Sequence, residues 1–382
     1  MTATGATRTP AERRVLTERL KAQAYGLGFD LAGVAALGEP ATRAAFDAWI
    51  ANGKHGAMAY MAGDGAELRR DARRPHAGAT HALVVAMNYG GREPSGPVAR
   101  YARGDDYHEV LRARLRELHA WLEREIGEPV NARAYVDSGP VLERDLAQRA
   151  GLGWFGKNTM LISPRVGSFV FLASLFVDLA LEVDAPFEAD RCGTCTRCLD
   201  ACPTQAFTSA HVLDASRCIS YLTIELRESI PEQFREAIGG LVYGCDICQD
   251  VCPWNRKFSL PSTELSFKAR PWFESPALID WMGTSTPAWV EFSRRSPIKR
   301  AKRRGFLRNV AVVLGNAGDP AAVPVLSTAL SDEEALVRGH AAWALGRIGA
   351  PGGLPPLLAR VAVEDDEWVL SELRAAIATF PA

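Results

Sequence analysis

Residues Ala11 to Gly26 carry apolar side chains at helical spacing, with Val15, Leu16, Leu20 and Ala24 on one face, and this predicts an amphipathic helix. Ala82 to Met87 is instead a short unbroken apolar run between polar and Gly-rich segments, the pattern of a buried strand. Helical spacing returns from Tyr107 to Ile126 and stops at Gly127 and Pro129. Ala132 to Val136 then reads as a strand running into the turn Asp137-Ser138-Gly139-Pro140. Helices and strands alternate in this way through residues 1–185, which predicts an α/β domain.

A second segment, 186–258, is dominated by cysteine spacing. A third, 259–382, opens with a Pro-, Ser- and Trp-rich connector and continues as a repeat. Arg308 to Gly315 (RNVAVVLG) recurs about 31 residues later as Arg338 to Gly346 (RGHAAWALG), each followed by a small-residue turn ending in Pro320 or Pro351 and a Leu-rich helix. Stacked helix pairs of the HEAT type are expected, with two units forming a cap rather than a long solenoid. The fold class is therefore mixed, α+β and α/β, in several domains.

The chain has eight cysteines, all between Cys192 and Cys252. The run Cys192-x2-Cys195-x2-Cys198-x3-Cys202-Pro203 is the bacterial ferredoxin spacing, in which three close thiolates wrap one cubane and the fourth reaches another. Cys245-x2-Cys248-x3-Cys252-Pro253 is the same motif without its leading cysteine, and Cys218 is the residue left to replace it. Crossed ligation assigns Cys192, Cys195, Cys198 and Cys252 to one [4Fe–4S] cluster, and Cys202, Cys218, Cys245 and Cys248 to the other. A disulfide framework suits a short secreted chain, and zinc usually shows two CxxC pairs, so neither accounts for this run.

With 47% hydrophobic and 23% charged residues and a formal net charge of -1, the chain of 382 residues has an ordinary globular composition and no overall field that would gather nucleic acid. No segment reaches the length of a membrane span; the most apolar stretch, Phe169 to Val177, is cut by Asp178. The twin arginine Arg13-Arg14 is followed by Glu18, Arg19 and Lys21 rather than an apolar run, so export is not expected and the cytoplasm is the default compartment. One local charge run stands out. Arg294, Arg295, Lys299, Arg300, Lys302, Arg303 and Arg304 place seven positive charges in eleven residues, with Arg308 a turn later. Phosphate contacts along an RNA stem are the natural use of Lys299, Arg300, Arg303, Arg304 and Arg308, with a solvated helix face as the alternative.

Two clusters alone would make a ferredoxin, and the long segment in front of them implies an electron acceptor. Gly151 to Gly156 matches G-x-G-x-x-G by letter, but the segment before it, LERDLAQRA, reads as a helix rather than a strand, so dinucleotide binding is set aside.

Seven motifs together carry a resemblance: YxxGxDYHxVL (Tyr101 to Leu111), AYVDSGP (Ala134 to Pro140), ERDLAQRAGLGWFGKNT (Glu143 to Thr159), GSFVFL (Gly167 to Leu172), CGTCTRCLDACPTQAF (Cys192 to Phe207), RCISYLTIE (Arg217 to Glu225) and YGCDICQDVCPWN (Tyr243 to Asn255). In these the chain resembles the epoxyqueuosine reductases, cobalamin-dependent enzymes that finish queuosine in tRNA, over nearly its full length. The resemblance implies a corrinoid bound between the first segment and the cluster segment. Asp106-Tyr107-His108 begins the D-x-H-x-x-G pattern that supplies a cobalt-binding histidine elsewhere, but Leu111 stands where Gly should be, so no histidine is expected on cobalt.

Removing an epoxide oxygen as water needs two electrons and two protons, and the resemblance makes Asp137 the proton donor as well as a neighbour of the corrin. A free Asp ionises at about 3.9, so burial is expected to raise its pKa; an Asx-turn role is the alternative. Asp106 and Arg144 are expected to hold the modified base. Arg69, Tyr101, Lys157, Asn158, Ser168, Ser220 and Asp246 fall in motifs expected to touch the corrin. The implied partners are tRNA carrying epoxyqueuosine in its anticodon and an external electron donor, without a membrane, and the chain is expected to be a monomer. The rival readings are a reductive dehalogenase acting on a small organohalide, or a two-cluster carrier without catalysis.

Overall fold

The computed structural model describes residues 8–91 and 96–381. Helix α1 (Pro10–Gly26) starts where Thr9 and Glu12 form a reciprocal capping box, with Pro10 at its first position. It leads into strand β1 (Leu31–Ala36), and β2 (His81–Asn88) follows. Helix α2 (Tyr107–Ile126) is capped at its start by the Asp106 side chain and ends at Gly127, whose left-handed backbone suits glycine. Then come β3 (Ala132–Tyr135), α3 (Glu143–Arg149) and β4 (Val170–Val177).

The four strands form one sheet in the order β1-β2-β4-β3, and every pairing is antiparallel. The alternation of helix and strand along the chain therefore does not wind a parallel sheet. Helices still cover both faces. Leu83, Val85 and Met87 of β2 pack with Leu16, Leu20, Leu111, Leu115 and Leu118 of α1 and α2. Their neighbours Ala82, Val84 and Ala86 pack with Leu146, Ala147 and Ala150 on the α3 side. Burial on both faces is why β2 reads as an unbroken apolar run instead of an alternating one. Gly33 of β1 lets α3 approach closely: a Cβ there would lie 2.1 Å from the Ala150 carbonyl oxygen.

The cysteine segment is built of short helices and turns, among them α4 (Ile219–Ile224), which begins immediately after Cys218. The repeated sequences lie in α5 (Lys302–Ala317) and α6 (Ala335–Ile348), followed by α7 (Leu354–Val361) and α8 (Glu367–Ile377). One continuous apolar core runs from Ile219, Ile230 and Val242 of the cysteine segment into Phe306, Val310, Val337 and Leu345 of these helices. No helix among the described residues is long and apolar enough to cross a membrane.

Arg308 departs from its expected role. Its side chain has no solvent exposure, and its guanidinium donates to the carbonyls of Leu222, Leu226 and Glu228 and to Asn309 Oδ1. A cation that caps the carbonyl end of α4 from inside the core cannot also reach an RNA phosphate. Arg308→Ala would leave the buried Leu222 carbonyl and the partly buried bonds to Leu226 and Glu228 without their donor, and a loss of about 2 kcal/mol of stability is expected, read as a lower denaturant midpoint.

Candidate active site

Asp106, at the start of α2, organises the site. Its carboxylate is 2% exposed, and Oδ1 accepts from the His108 backbone N–H at 3.1 Å and stands 2.7 Å from His108 Nδ1. Its Oδ2 accepts from Lys299 Nζ at 2.7 Å. One helical position before His108, the Tyr107 ring stacks on Phe171 of β4, 4.2 Å away and nearly parallel, and its hydroxyl donates to Asp137 Oδ2 at 2.6 Å. His108 Nε2 lies 3.6 Å from the same oxygen. The first turn of α2 thus presents a tyrosine and a histidine to one carboxylate.

Asp137 follows β3 with a φ of 56°. This left-handed conformation is uncommon for a residue other than glycine, and such strain persists where surrounding contacts fix it. Here Glu143 Oε1 accepts from the Asp137 N–H at 2.7 Å, and Arg69 reaches from the other side to the Gly139 carbonyl at 3.5 Å. The Asp137 side chain is 62% exposed, so its carboxylate is open to a ligand.

The electrostatics correct one expectation. Burial would raise the Asp137 pKa, but His108, the Tyr107 hydroxyl and the charge of Arg144 outweigh it and hold the carboxyl below its usual value. The group whose pKa rises is its neighbour Glu143, pushed up to about 8 by burial and by the facing Asp137 carboxylate. For His108, burial disfavours the charged ring, yet Asp106 and Asp137 overcome it and hold its pKa up at about 9. The site therefore stores its protons on the groups around Asp137 at neutral pH.

The other residues picked out in the sequence fall into separate places. Tyr101 sits beside Tyr107 and Tyr243, each ring centroid 6.2 Å away. Arg144 is exposed and donates to the Thr159 carbonyl. Arg69 is buried, held by the carbonyls of Tyr60 and Gly65. Lys157 points to the cysteines, donating to the carbonyls of Gly193 at 2.6 Å and Cys195 at 3.0 Å. Asn158 and Ser168 are buried, the latter between Gln249 and Asn255. Asp246 is buried against Arg100, and Ser220 lies on α4 two residues past Cys218. Tyr107, His108 and Glu143 were not singled out as acting residues, although all three lie inside the quoted motifs.

None of the eight cysteines is in a disulfide. Cys192, Cys195, Cys198 and Cys252 line one cavity of about 250 Å3 together with Lys157, Asn158 and Trp254. Trp154 Nε1 lies 3.5 Å from Cys192 Sγ and its ring packs against Trp254 and Phe187. Cys245 faces Cys218 and Cys202, and Cys248 faces Cys245 and Cys218; burial pushes the thiols of Cys218, Cys245 and Cys248 up. Among the described residues, no group of three or more His, Cys, Asp or Glu side chains closes on a single metal ion.

The basic run is largely paired. Arg300 makes a two-pronged contact with Glu225, Arg303 with Asp332, and Arg304 lies 3.7 Å from Glu334. Lys299 is bound to Asp106 but remains 55% exposed.

Comparison with known proteins places these features in a family. Residues 191–255 match the model "4Fe-4S double cluster binding domain", 69–138 match "Epoxyqueuosine reductase QueG, DUF1730", and 300–378 match "HEAT repeats". The epoxyqueuosine reductase of Xanthomonas campestris is 41% identical over 87% of this chain and 96% of its own length. That of Escherichia coli is 38% identical over 88% of this chain and 91% of its own. A crystal structure of an epoxyqueuosine reductase with an epoxyqueuosine-modified tRNA-Tyr stem loop superposes with a TM-score of 0.88 at 30% identity, covering 96% of this chain and 99% of that one. An epoxyqueuosine reductase from Bacillus subtilis, described with its catalytic aspartate loop swung out of the active site, gives 0.86 at 30% identity, covering 96% of this chain and 99% of that one. The chain belongs to the epoxyqueuosine reductase family.

Proposed function

We propose that this protein reduces epoxyqueuosine to queuosine in tRNA, with Asp137 as the proton donor. The observation that carries the reading is the Asp137 loop: a strained, exposed aspartate met by Tyr107 and His108, in a family where a catalytic aspartate loop is described for one structural neighbour. The overall change is removal of the epoxide oxygen as water, leaving an alkene, at the cost of two electrons and two protons.

The electrons come from an external donor through two [4Fe–4S] clusters. Cys192, Cys195, Cys198 and Cys252 hold one, an arrangement supported by the cavity they share. Cys202, Cys218, Cys245 and Cys248 hold the other. The surroundings of Asp137 support a corrinoid there: the carboxylate is exposed, and Tyr101 packs between Tyr107, which holds that carboxylate, and Tyr243 of the cysteine segment. Cobalamin bound there supplies a strongly reducing metal centre close to the substrate. Asp137 would donate to the substrate oxygen, Tyr107 and His108 orient its carboxylate, and Arg144 would meet the modified base; Asp106, expected at the base, is instead buried and bound to His108 and Lys299. Residues 1–185 then serve as the corrinoid segment, 186–258 as the cluster segment, and 259–382 as connector and helical repeats. The exposed members of the basic run, Lys299, Arg300 and Arg304, contribute to tRNA phosphate binding, and the protein acts as a cytoplasmic monomer.

The test is anaerobic reconstitution, an absorption spectrum with and without added cobalamin, and nucleoside analysis of epoxyqueuosine-containing tRNA before and after reduction. About eight irons per chain, a corrinoid spectrum that changes on binding, and conversion to queuosine are expected. Iron-loaded protein without corrinoid affinity would overturn the reading.

A further inference from the structure

The reaction consumes two protons and Asp137 can hold only one at a time, so the carboxylate must be recharged within each turnover. This requirement rests on the function proposed above. Two groups reach Asp137 Oδ2: the Tyr107 hydroxyl at 2.6 Å and His108 Nε2 at 3.6 Å. A neutral tyrosine is a poor proton source at physiological pH, and burial makes Tyr107 poorer still by raising its pKa well above the usual value. The imidazolium is the competent acid of the two.

What stands behind the ring is as informative. His108 Nδ1 is 2.7 Å from Asp106 Oδ1, and the other oxygen of that buried carboxylate takes Lys299 at 2.7 Å. An imidazole with one nitrogen against a buried carboxylate has its orientation fixed and its remaining N–H aimed, here at Asp137. We propose that His108 is the second proton-handling residue of the site, passing a proton from Nε2 to Asp137 Oδ2 for each of the two transfers to the substrate oxygen, with Asp106 and Lys299 as positioning residues.

The Asp137 carboxylate, ionised at rest, takes the His108 Nε2 proton and passes it to the epoxide oxygen as two electrons from the external donor enter at the carbon and the first C–O bond breaks, giving a hydroxyl. His108 regains a proton from solvent and returns it through Asp137 to that hydroxyl, which leaves as water when the second C–O bond breaks and the alkene forms. A second proton from solvent then recharges His108, so two electrons and two protons are consumed. The ring stays charged until needed because the groups facing it favour the cation: Asp106 on its own helix and Asp137 on the loop outweigh the opposing burial. Glu143 from α3, with a raised pKa, is largely neutral at pH 7, while the cations Arg144 from α3 and Lys299 from the basic segment are paired with or face carboxylates.

Two measurements test this. In cofactor-free protein, the His108 ring followed by NMR should titrate at about 9, and Asp106→Asn should bring it down toward the ordinary histidine range. In reconstituted enzyme, His108→Gln should lower kcat by about 10–100-fold and remove the alkaline fall in kcat, with KM for tRNA and iron content unchanged. Added imidazole should restore part of the lost rate. A ring that titrates at the ordinary histidine value in the wild type, or a His108→Gln enzyme with unaltered kcat and pH profile, would overturn the proposal. Wild-type protein that leaves epoxyqueuosine intact would overturn the functional reading and this inference with it, whereas an active wild type beside an unaffected variant would overturn the inference alone.

Discussion

Asp137→Asn is expected to lower turnover by about 10²–10⁴-fold, the range for losing a positioned general acid. The amide keeps the shape of the side chain and can still accept from the Tyr107 hydroxyl, and the Asp137 N–H bond to Glu143 is a backbone contact that the substitution leaves in place. What disappears is a group able to take up a proton and pass it on. Folding, cluster content and tRNA affinity should therefore persist, and the measurement is queuosine formation under single turnover beside iron content and tRNA binding. A variant with near wild-type turnover would remove Asp137 from the chemistry. Equal loss of cofactor and tRNA binding would make its role structural.

Cys218→Ser is expected to cost one cluster, taking iron from about eight to about four per chain and abolishing reduction of the tRNA. Cys218 is the one thiol of its set outside the two compact motifs, and it caps the start of α4. Its neighbours Cys245 and Cys248 face it in surroundings that disfavour a bare thiolate, so a set of three has little reason to stay ionised without the fourth ligand and its iron. Iron analysis together with electron paramagnetic resonance of the reduced protein reads the result. Retention of both clusters would assign the fourth ligand elsewhere.

Much of this molecule is legible in its sequence because the signals are local. The helix from Tyr107 to Ile126 appears with the bounds its spacing implies, since Asp106 and Gly127 cap it within the same stretch of chain. β2 is legible because burial on both faces makes it uniformly apolar. β1, with the sequence LAGVAA, is not, because its small residues serve the close approach of α3 rather than any periodicity. The antiparallel sheet order is likewise a property of long-range pairing that alternation of elements does not encode.

In the site, residue identity was readable and electrostatics were not. The Asp137 pKa falls instead of rising because His108 and Tyr107 arrive from a helix about thirty positions earlier. The basic run reads as an open phosphate-binding face, but Glu225, Asp332 and Glu334, which pair with it, lie outside it in sequence. Arg308 looked like one more cation of that face; only the fold shows it turned inward to the carbonyls at the end of α4.

The apolar interior that joins Ile219, Ile230 and Val242 to α5 and α6 sets an order of events during synthesis. The second half of the cysteine segment has no complete floor until the carboxyl-terminal helices have emerged and packed beneath it. A chain cut before α5 is therefore expected to leave Ile219, Ile230 and Val242 without their packing partners.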